Sequence, residues 1–326
     1  MILAADIGGT KTLIGLFESR SNRPVPISVQ SFPTTAFSGL PAIVDAFFDA
    51  TRRPFISAAA FGVAGPVINQ TAQMTNVEWR VDAGELAKAF ALENMVLLND
   101  LEAMAYAVPV LEGDELRTLQ QGAPREGGNL GIVAAGTGLG GSLLHWMNDR
   151  YVPVASEVGH SDFPARTDRE LAFVRYARER YGRCEIEHLL CGPGLVNLSD
   201  FAHLTTPCAA GDTLPSDPAD VSAAALDGRC PRCGEALEMF IDAYGAVAGN
   251  MALIGVTTGG MFIGGGIAPR LIAAFENGRF IAAFRAKAPM RQLVEAVPVH
   301  IILNRNAGLL GAAVYANRLA RNSAAV

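Results

Sequence analysis

The sequence predicts an α/β protein of two related lobes with a cleft between them, and three observations carry that prediction. Apolar, β-compatible runs alternate with segments whose apolar residues recur at helical spacing. Two hairpins that turn on glycines, near residues 8 and 138, stand about 130 residues apart, and each opens a β-β-β-α run, the pattern of a duplicated domain. The length of 326 residues suits two domains or one large one, and with half of the residues hydrophobic and 18% charged the chain is neither a mini-protein nor disordered.

Taken in order, residues 2–17 (ILAADIGGTKTLIGLF) read as strand, Gly-Gly-Thr turn and strand, with Asp6 near the tip. An extended piece (VPISVQSFP) follows, then a helix (LPAIVDAFFDA) and a small-residue strand (ISAAAFGVAG). MVLLND is a short strand ending in Asn99 and Asp100, and LEAMAYAVPVL begins a helix, so both polar residues stand where a strand gives way to a helix, a usual place for functional groups. The second half repeats this plan: LGIVAAGTGLGGSLLHW is strand, Gly-Thr-Gly turn and strand, VPVAS is extended, and DRELAFVRYARERYG is a charged helix. The segment 204–233, rich in Pro, Asp, Ala and Gly, reads as an irregular excursion. A third glycine cluster, Gly264-Gly265-Gly266, falls between a strand and a helix expected at Pro269.

Charge and cysteines narrow the function classes. The net charge is −6 with no run of like charges, which leaves no electrostatic footprint for nucleic acid or an anionic membrane. Five cysteines, an odd and sparse count, argue against a disulfide framework, and Cys230-Pro-Arg-Cys233 would be half a zinc site whose second pair is missing, since Cys184, Cys191 and Cys208 are isolated in the sequence. Asp6 interrupts the apolar start where a signal peptide would continue, so a cytoplasmic protein is expected. No charge occurs between Asp242 and Arg270, but eight glycines split that stretch into a helical and an extended piece, better read as a buried helix and a central strand than as a membrane span.

There is no P-loop motif. Gly136-Thr137-Gly138-Leu139-Gly140-Gly141 matches G-x-G-x-x-G, yet SLLHW after it is strand-like, whereas a dinucleotide fingerprint requires a helix there. A glycine hairpin with N–H groups available to phosphate is the better reading, its glycines supplying turn conformations with positive φ. Asp6-Ile7-Gly8-Gly9-Thr10-Lys11 makes the same offer and adds a hydroxyl, a cation and a carboxylate suited to a water-bridged Mg²⁺. Glu157 and His160 imitate half a di-iron motif, but their Gly and Ser neighbours are not those of a bundle helix.

DIGGTK, LLNDLEAMAYAVP, GTGLGG, EVGHSDF, EIEHLLCGPGLVNL, GGMFIGGGIAPR and NAGLLGAA, in this order, resemble the signature segments of bacterial ATP-dependent glucokinases, which share the actin-like ATPase (ribonuclease H-like) fold of sugar kinases. The resemblance spans essentially the whole chain and is weakest over 204–233. It implies a duplicated β-β-β-α-β-α-β-α domain, with a small lobe of 1–110 plus 299–326 and a large lobe of 111–298, glucose between them, and closure that excludes water. It implies transfer of the γ-phosphoryl group of MgATP to the 6-hydroxyl of glucose, and a homodimer. Asp100 becomes the group that takes the hydroxyl proton, a task for which a carboxylate at a strand end suffices. Asn99, Asp100, Glu157, His160 and Glu187 offer the carboxylates, amide and imidazole that a hexose needs, and the same resemblance adds Gly65 and Asn76. The nucleotide falls to Asp6, Gly8, Gly9, Thr10, Lys11, Gly136, Thr137, Gly138, Gly264, Gly265 and Gly266, with Mg²⁺ carried by ATP and no protein-held metal. Two departures stand out: Val158 where a second glycine is expected, and the absence of the C-x-C-G-x-x-G-C-x-E zinc signature of the related repressor and kinase family, which favours the zinc-free branch. A kinase for another hexose or amino sugar, and a catalytically silent sugar sensor, are the rival readings.

Overall fold

The computed structural model describes residues 1–51, 53–74, 77–211 and 213–323, in two compact units: Met1–Glu112 with Asn304–Val326, and Gly113–Leu303. Asn76 lies outside the described residues.

The first unit is built from strands β1 (Ile2–Ile7), β2 (Lys11–Glu18) and β3 (Val25–Pro33), helix α1 (Leu40–Thr51), strand β4 (Ala58–Val63), a small three-stranded sheet of β5 (Val67–Ile68), β6 (Thr71–Gln73) and β7 (Arg80–Asp82), helix α2 (Ala83–Phe90), strand β8 (Met95–Asn99) and helix α3 (Asp100–Ala107), completed by the C-terminal helix Ala307–Ser323. Its main sheet runs β3-β2-β1-β4-β8, antiparallel on the β1/β2/β3 side and parallel from β1 through β4 to β8. β4 is buried along its whole length, as a parallel strand covered on both faces must be, which explains why its sequence AAAFGV holds no polar side chain. Close approach of helices needs glycine: a Cβ on Gly311 would meet the Ala103 carbonyl oxygen at 1.7 Å, so the C-terminal helix and α3 touch backbone to backbone.

The second unit repeats the plan. After the edge strand β9 (Leu116–Gln120) come β10 (Leu130–Ala135), β11 (Leu139–Met147) and β12 (Arg150–Ser156), then α4 (Asp168–Tyr181), α5 (Gly192–Ala202), α6 (Pro218–Leu226), α7 (Pro231–Gly255), strand β13 (Gly260–Gly264), α8 (Ile272–Glu276), α9 (Arg279–Arg285), α10 (Arg291–Ala296) and strand β14 (Val299–Ile302). The sheet order β12-β11-β10-β13-β14 reproduces β3-β2-β1-β4-β8, with the same antiparallel and parallel pairings, and β9 is added at the β14 edge. Residues 299–303, expected with the first lobe, belong here instead because β14 pairs in parallel with β13.

Helix α7 is long and apolar enough to cross a membrane, but most of it is buried in the core of this unit, around Phe240, Tyr244 and Val247. Its glycines let α9 approach: a Cβ on Gly245 would lie 2.2 Å from the Phe280 carbonyl oxygen.

Two further expectations are corrected. The segment 204–233 is not simply irregular, because it holds α6 and the start of α7. Asp217 caps α6 by accepting from the Ala219 N–H (2.7 Å), with Pro218 in the first turn, so the Asp and Pro that resemble loop residues are helix-start signals. At Pro269 there is only a 3₁₀ turn, Ala268–Arg270, ahead of the short α8.

Candidate active site

In the first unit, register places Ile7 opposite Val63 and Val63 opposite Asn99, so β1, β4 and β8 end at one edge of the sheet and deliver the Gly8 turn, Gly65 and Asp100 there. Asn99 is the N-cap of α3: its Oδ1 accepts from the N–H groups of Leu101 (3.0 Å) and Glu102 (3.4 Å), and its Nδ2 donates to the Gly65 carbonyl (3.0 Å). Both ends of the amide are therefore engaged by the fold, and one of them holds Gly65, whose φ of 124° suits glycine alone. Asp100 is the first residue of α3, and one carboxylate oxygen accepts from the Leu101 N–H (2.8 Å).

Asp6, near the end of β1, has its pKa raised to about 6, chiefly by burial, then by the negative charge of Asp100, against the opposing pull of Lys11. Gly308, in the first turn of the C-terminal helix, leaves room for this carboxylate, since a Cβ there would lie 2.7 Å from Asp6 Oδ2. Two carboxylates, one of them desolvated, form a donor set that suits a hard divalent cation such as Mg²⁺. The neighbouring turn is held by its own bonds: the Gly8 N–H donates to the Lys11 carbonyl (3.0 Å), and the Thr34 hydroxyl donates to the Gly8 carbonyl (2.8 Å).

In the second unit, Ala134 lies opposite Gly264, so the Gly136 turn and the Gly264–266 cluster share a sheet edge. The Gly136 N–H donates to the Gly138 carbonyl, and the Gly192 N–H donates to the Gly136 carbonyl (both 2.9 Å), which pins the hairpin tip to the N-terminus of α5. Gly265 has φ of 83°, and a Cβ there would lie 2.2 Å from the Ala135 carbonyl oxygen. Gly8, Gly9, Gly136 and Gly138 do not take positive φ, which corrects the expectation from sequence; at Gly8 and Gly138 glycine instead avoids crowding, since a Cβ would lie 3.1 Å from the Lys11 carbonyl oxygen and 2.6 Å from Glu187 Oε2. Gly136, Thr137, Gly192, Pro193 and Gly266 line a cavity of about 380 Å³, closed on another side by the first turns of α6, with Asp217, Pro218, Ala219 and Ser222. Ile267 and Arg270 also line it. A larger cavity of about 840 Å³, beside Thr118, Glu276 and Arg285, holds none of the expected site residues.

The carboxylate of Glu187 lies on the same hairpin, where Oε2 accepts from the Leu139 N–H (2.7 Å). Glu157 precedes and His160 ends the 3₁₀ turn Val158–His160, which packs onto β11: a Cβ on Gly159 would lie 2.2 Å from the Leu139 carbonyl oxygen. His160 Nδ1 lies 2.7 Å from the Glu185 carboxylate, and this hydrogen bond raises the imidazole pKa above its ordinary value, with the charges of Glu187 and Glu157 adding to the effect. Glu157, His160 and Glu187 thus share one electrostatic neighbourhood. Val158 is accommodated because Gly141 faces it: a Cβ on Gly141 would lie 2.6 Å from Val158 Cγ1.

Sequence reasoning missed Glu185, whose hold on His160 spans 25 residues, and it missed the α6 residues that line the cavity. It also treated Cys208 as isolated. The structure gathers His203, Cys208, Cys230 and Cys233, with all four potential ligand atoms within 4.8 Å of one another.

The glucokinase family model matches residues 3–319. A glucokinase of Nostoc punctiforme is 35% identical over 339 aligned positions, covering 98% of this chain and 99% of the relative. The crystal structure of a glucokinase from an Antarctic psychrotroph is similar with a TM-score of 0.88 at 29% identity, covering 97% of this chain and 98% of that one. In fold alone, a ROK family glucokinase from Streptomyces griseus, solved with glucose and AMPPNP, is similar with a TM-score of 0.62 at 21% identity, covering 97% and 99% of the two chains. The duplicated sheets are those of the actin-like ATPase fold, and the sequence match runs nearly end to end on both sides: the chain belongs to the glucokinase family.

Proposed function

We propose that Asp100 accepts the proton of the glucose 6-hydroxyl as that oxygen attacks the γ-phosphorus of MgATP. The overall reaction, phosphorylation of glucose by ATP, follows from family membership. In it the O6–P bond forms, the bond from the γ-phosphorus to the β,γ-bridging oxygen breaks, and glucose 6-phosphate and ADP leave. The observation that carries the role of Asp100 is its delivery, with Gly65 and the Gly8 turn, to the carboxyl ends of the parallel strands β1, β4 and β8, beside the desolvated Asp6. Such a step needs positioning, charge neutralisation and a proton acceptor, and little covalent chemistry from the protein.

Glu157, His160 and Glu187 read sugar hydroxyls in this account, with Glu185 holding the His160 ring. Asn99 and Gly65 act chiefly by positioning. The nucleotide's phosphates fall to the Gly8–Lys11 and Gly136–Gly138 turns, and its nucleoside to the cavity beside Gly266 and α6. Mg²⁺ is carried with ATP near Asp6, through water. A homodimer is the state that the family resemblance favours, and a cytoplasmic location is the one that Asp6 in the apolar start favours.

The test is a coupled assay of ADP formation across glucose, mannose, fructose, galactose and N-acetylglucosamine. Glucose gives the highest kcat/KM, with one ADP formed per sugar phosphate. Preference for another sugar overturns the substrate, and sugar binding without any turnover overturns the enzyme in favour of a sensor.

A further inference from the structure

We propose that His203, Cys208, Cys230 and Cys233 bind a structural Zn²⁺ that fastens the 204–233 segment onto the second unit. The site stands apart from the phosphotransfer residues and does not rest on that reading. Its four donors come from three places: His203 closes α5, Cys208 lies in the following loop, and Cys230 and Cys233 are the N-cap and first turn of α7. The pattern H-x₄-C-x₂₁-C-x₂-C is that of a closed structural site, in which four protein ligands leave no open position for catalysis.

Geometry favours this assignment. Tetrahedral zinc with sulfur at about 2.3 Å and nitrogen at about 2.0 Å sets ligand-to-ligand separations of roughly 3.5 to 3.8 Å. His203 Nε2 lies 3.3 Å from Cys230 Sγ, and all four ligand atoms lie within 4.8 Å of one another, so closing the shell requires shifts of about 1 Å or less. The histidine is already oriented as a ligand. Its Nδ1 is 2.7 Å from the Ser199 carbonyl, which can only accept, so the proton sits on Nδ1 and the Nε2 lone pair faces the sulfurs. His203, Cys230 and Cys233 are buried, and Cys208 is half-buried. Soft thiolates with one imidazole in a tetrahedral cluster select zinc over Mg²⁺ or Ca²⁺. Binding displaces the three thiol protons to solvent and changes no oxidation state.

The consequence reaches the cavity beside Gly266, and its effect on ATP, unlike the metal site itself, rests on the proposed place of the nucleoside there. Between Cys208 and Cys230 runs α6, whose Asp217, Pro218, Ala219 and Ser222 line that cavity, and the metal would hold both ends of the segment that carries them.

Protein purified under reducing, anaerobic conditions is assayed for metal by mass spectrometry. A single zinc ion per chain is expected, retained in Cys184→Ala and lost in Cys208→Ala and Cys233→Ser. Because those variants can misfold, wild-type protein stripped by a chelator is also titrated with Co²⁺. The site then gives the intense visible bands of tetrahedral cobalt and thiolate charge transfer, both abolished by added Zn²⁺. Stripping lowers Tm and raises KM for ATP about tenfold, with a smaller effect on KM for glucose. Sub-stoichiometric zinc together with the weak spectrum of octahedral cobalt overturns the proposal, as does a Cys230–Cys233 disulfide in protein kept reduced throughout.

Discussion

Gly138 and Glu187 occupy one space: a Cβ on Gly138 would lie 2.6 Å from Glu187 Oε2, the oxygen that accepts the Leu139 N–H. A residue of the glycine turn and a residue ascribed to the sugar are therefore mechanically linked. Gly136, two positions earlier, has no positive φ, and a Cβ there would meet no atom within 4 Å among the described residues.

The two glycines should consequently behave differently. Gly136→Ala leaves Tm and the glucose KM unchanged and raises the KM for ATP about tenfold, equivalent to about 1.4 kcal/mol of lost phosphate approach. Gly138→Ala displaces Glu187, weakens both ligands and destabilises the fold by about 1 to 3 kcal/mol. Steady-state kinetics with each substrate varied, together with thermal melts, separate the two. Equal behaviour of the variants removes the link.

Asp6 costs the fold stability in exchange for a carboxylate at the site. Its pKa is raised from 3.8 to about 6, so the folded state holds this proton more tightly than the unfolded state does. Its contribution to stability therefore falls as pH rises between those values, and the full cost, about 3 kcal/mol, is present above them. Asp6→Asn should be more stable than wild type at pH 8, with the advantage fading toward pH 4, while turnover becomes much less responsive to Mg²⁺. Urea denaturation across that range reads the first effect and a Mg²⁺ titration the second. A variant less stable than wild type at pH 8 contradicts the desolvation account.

His160 titrates above its ordinary value because its Nδ1 is hydrogen-bonded to the Glu185 carboxylate. A raised folded pKa contributes stability that is fully present below the ordinary value of 6.5 and is lost as pH rises through the folded value. Glu185→Gln should lower the His160 pKa, followed by NMR, and raise the glucose KM with a smaller change in kcat. An unmoved pKa removes Glu185 from the site.

Much of this arrangement was legible in the sequence where local signals decide it. The hairpin ILAADIGGTKTLIGLF, its counterpart at residue 130 and the MVLLND strand end are short-range patterns, and they place Asp6 near its strand end, Asp100 where a helix begins and Gly136 on its turn. Contacts between distant segments were not legible. Nothing local to Glu185 names His160 as its partner, and nothing between Leu204 and Arg229 reveals that Cys208 returns to Cys230. Helix α6 was hidden because Asp and Pro serve equally as loop residues and as helix starts, and only packing decides between the two.

Asn99→Ala should cost about 1 kcal/mol, the usual loss of an N-cap, and should also release the Gly65 carbonyl. Chemical denaturation gives the first quantity. The second appears as a raised glucose KM, which a cap without a positioning role would leave unchanged.

Whether Asp100 takes the hydroxyl proton is read from kcat for Asp100→Asn, set beside its glucose Kd by calorimetry without ATP. The amide keeps the shape of the side chain but cannot accept the proton. A fall in kcat of about 10² to 10⁴-fold with glucose affinity largely kept is expected, whereas turnover near that of wild type in a folded variant overturns the role of Asp100.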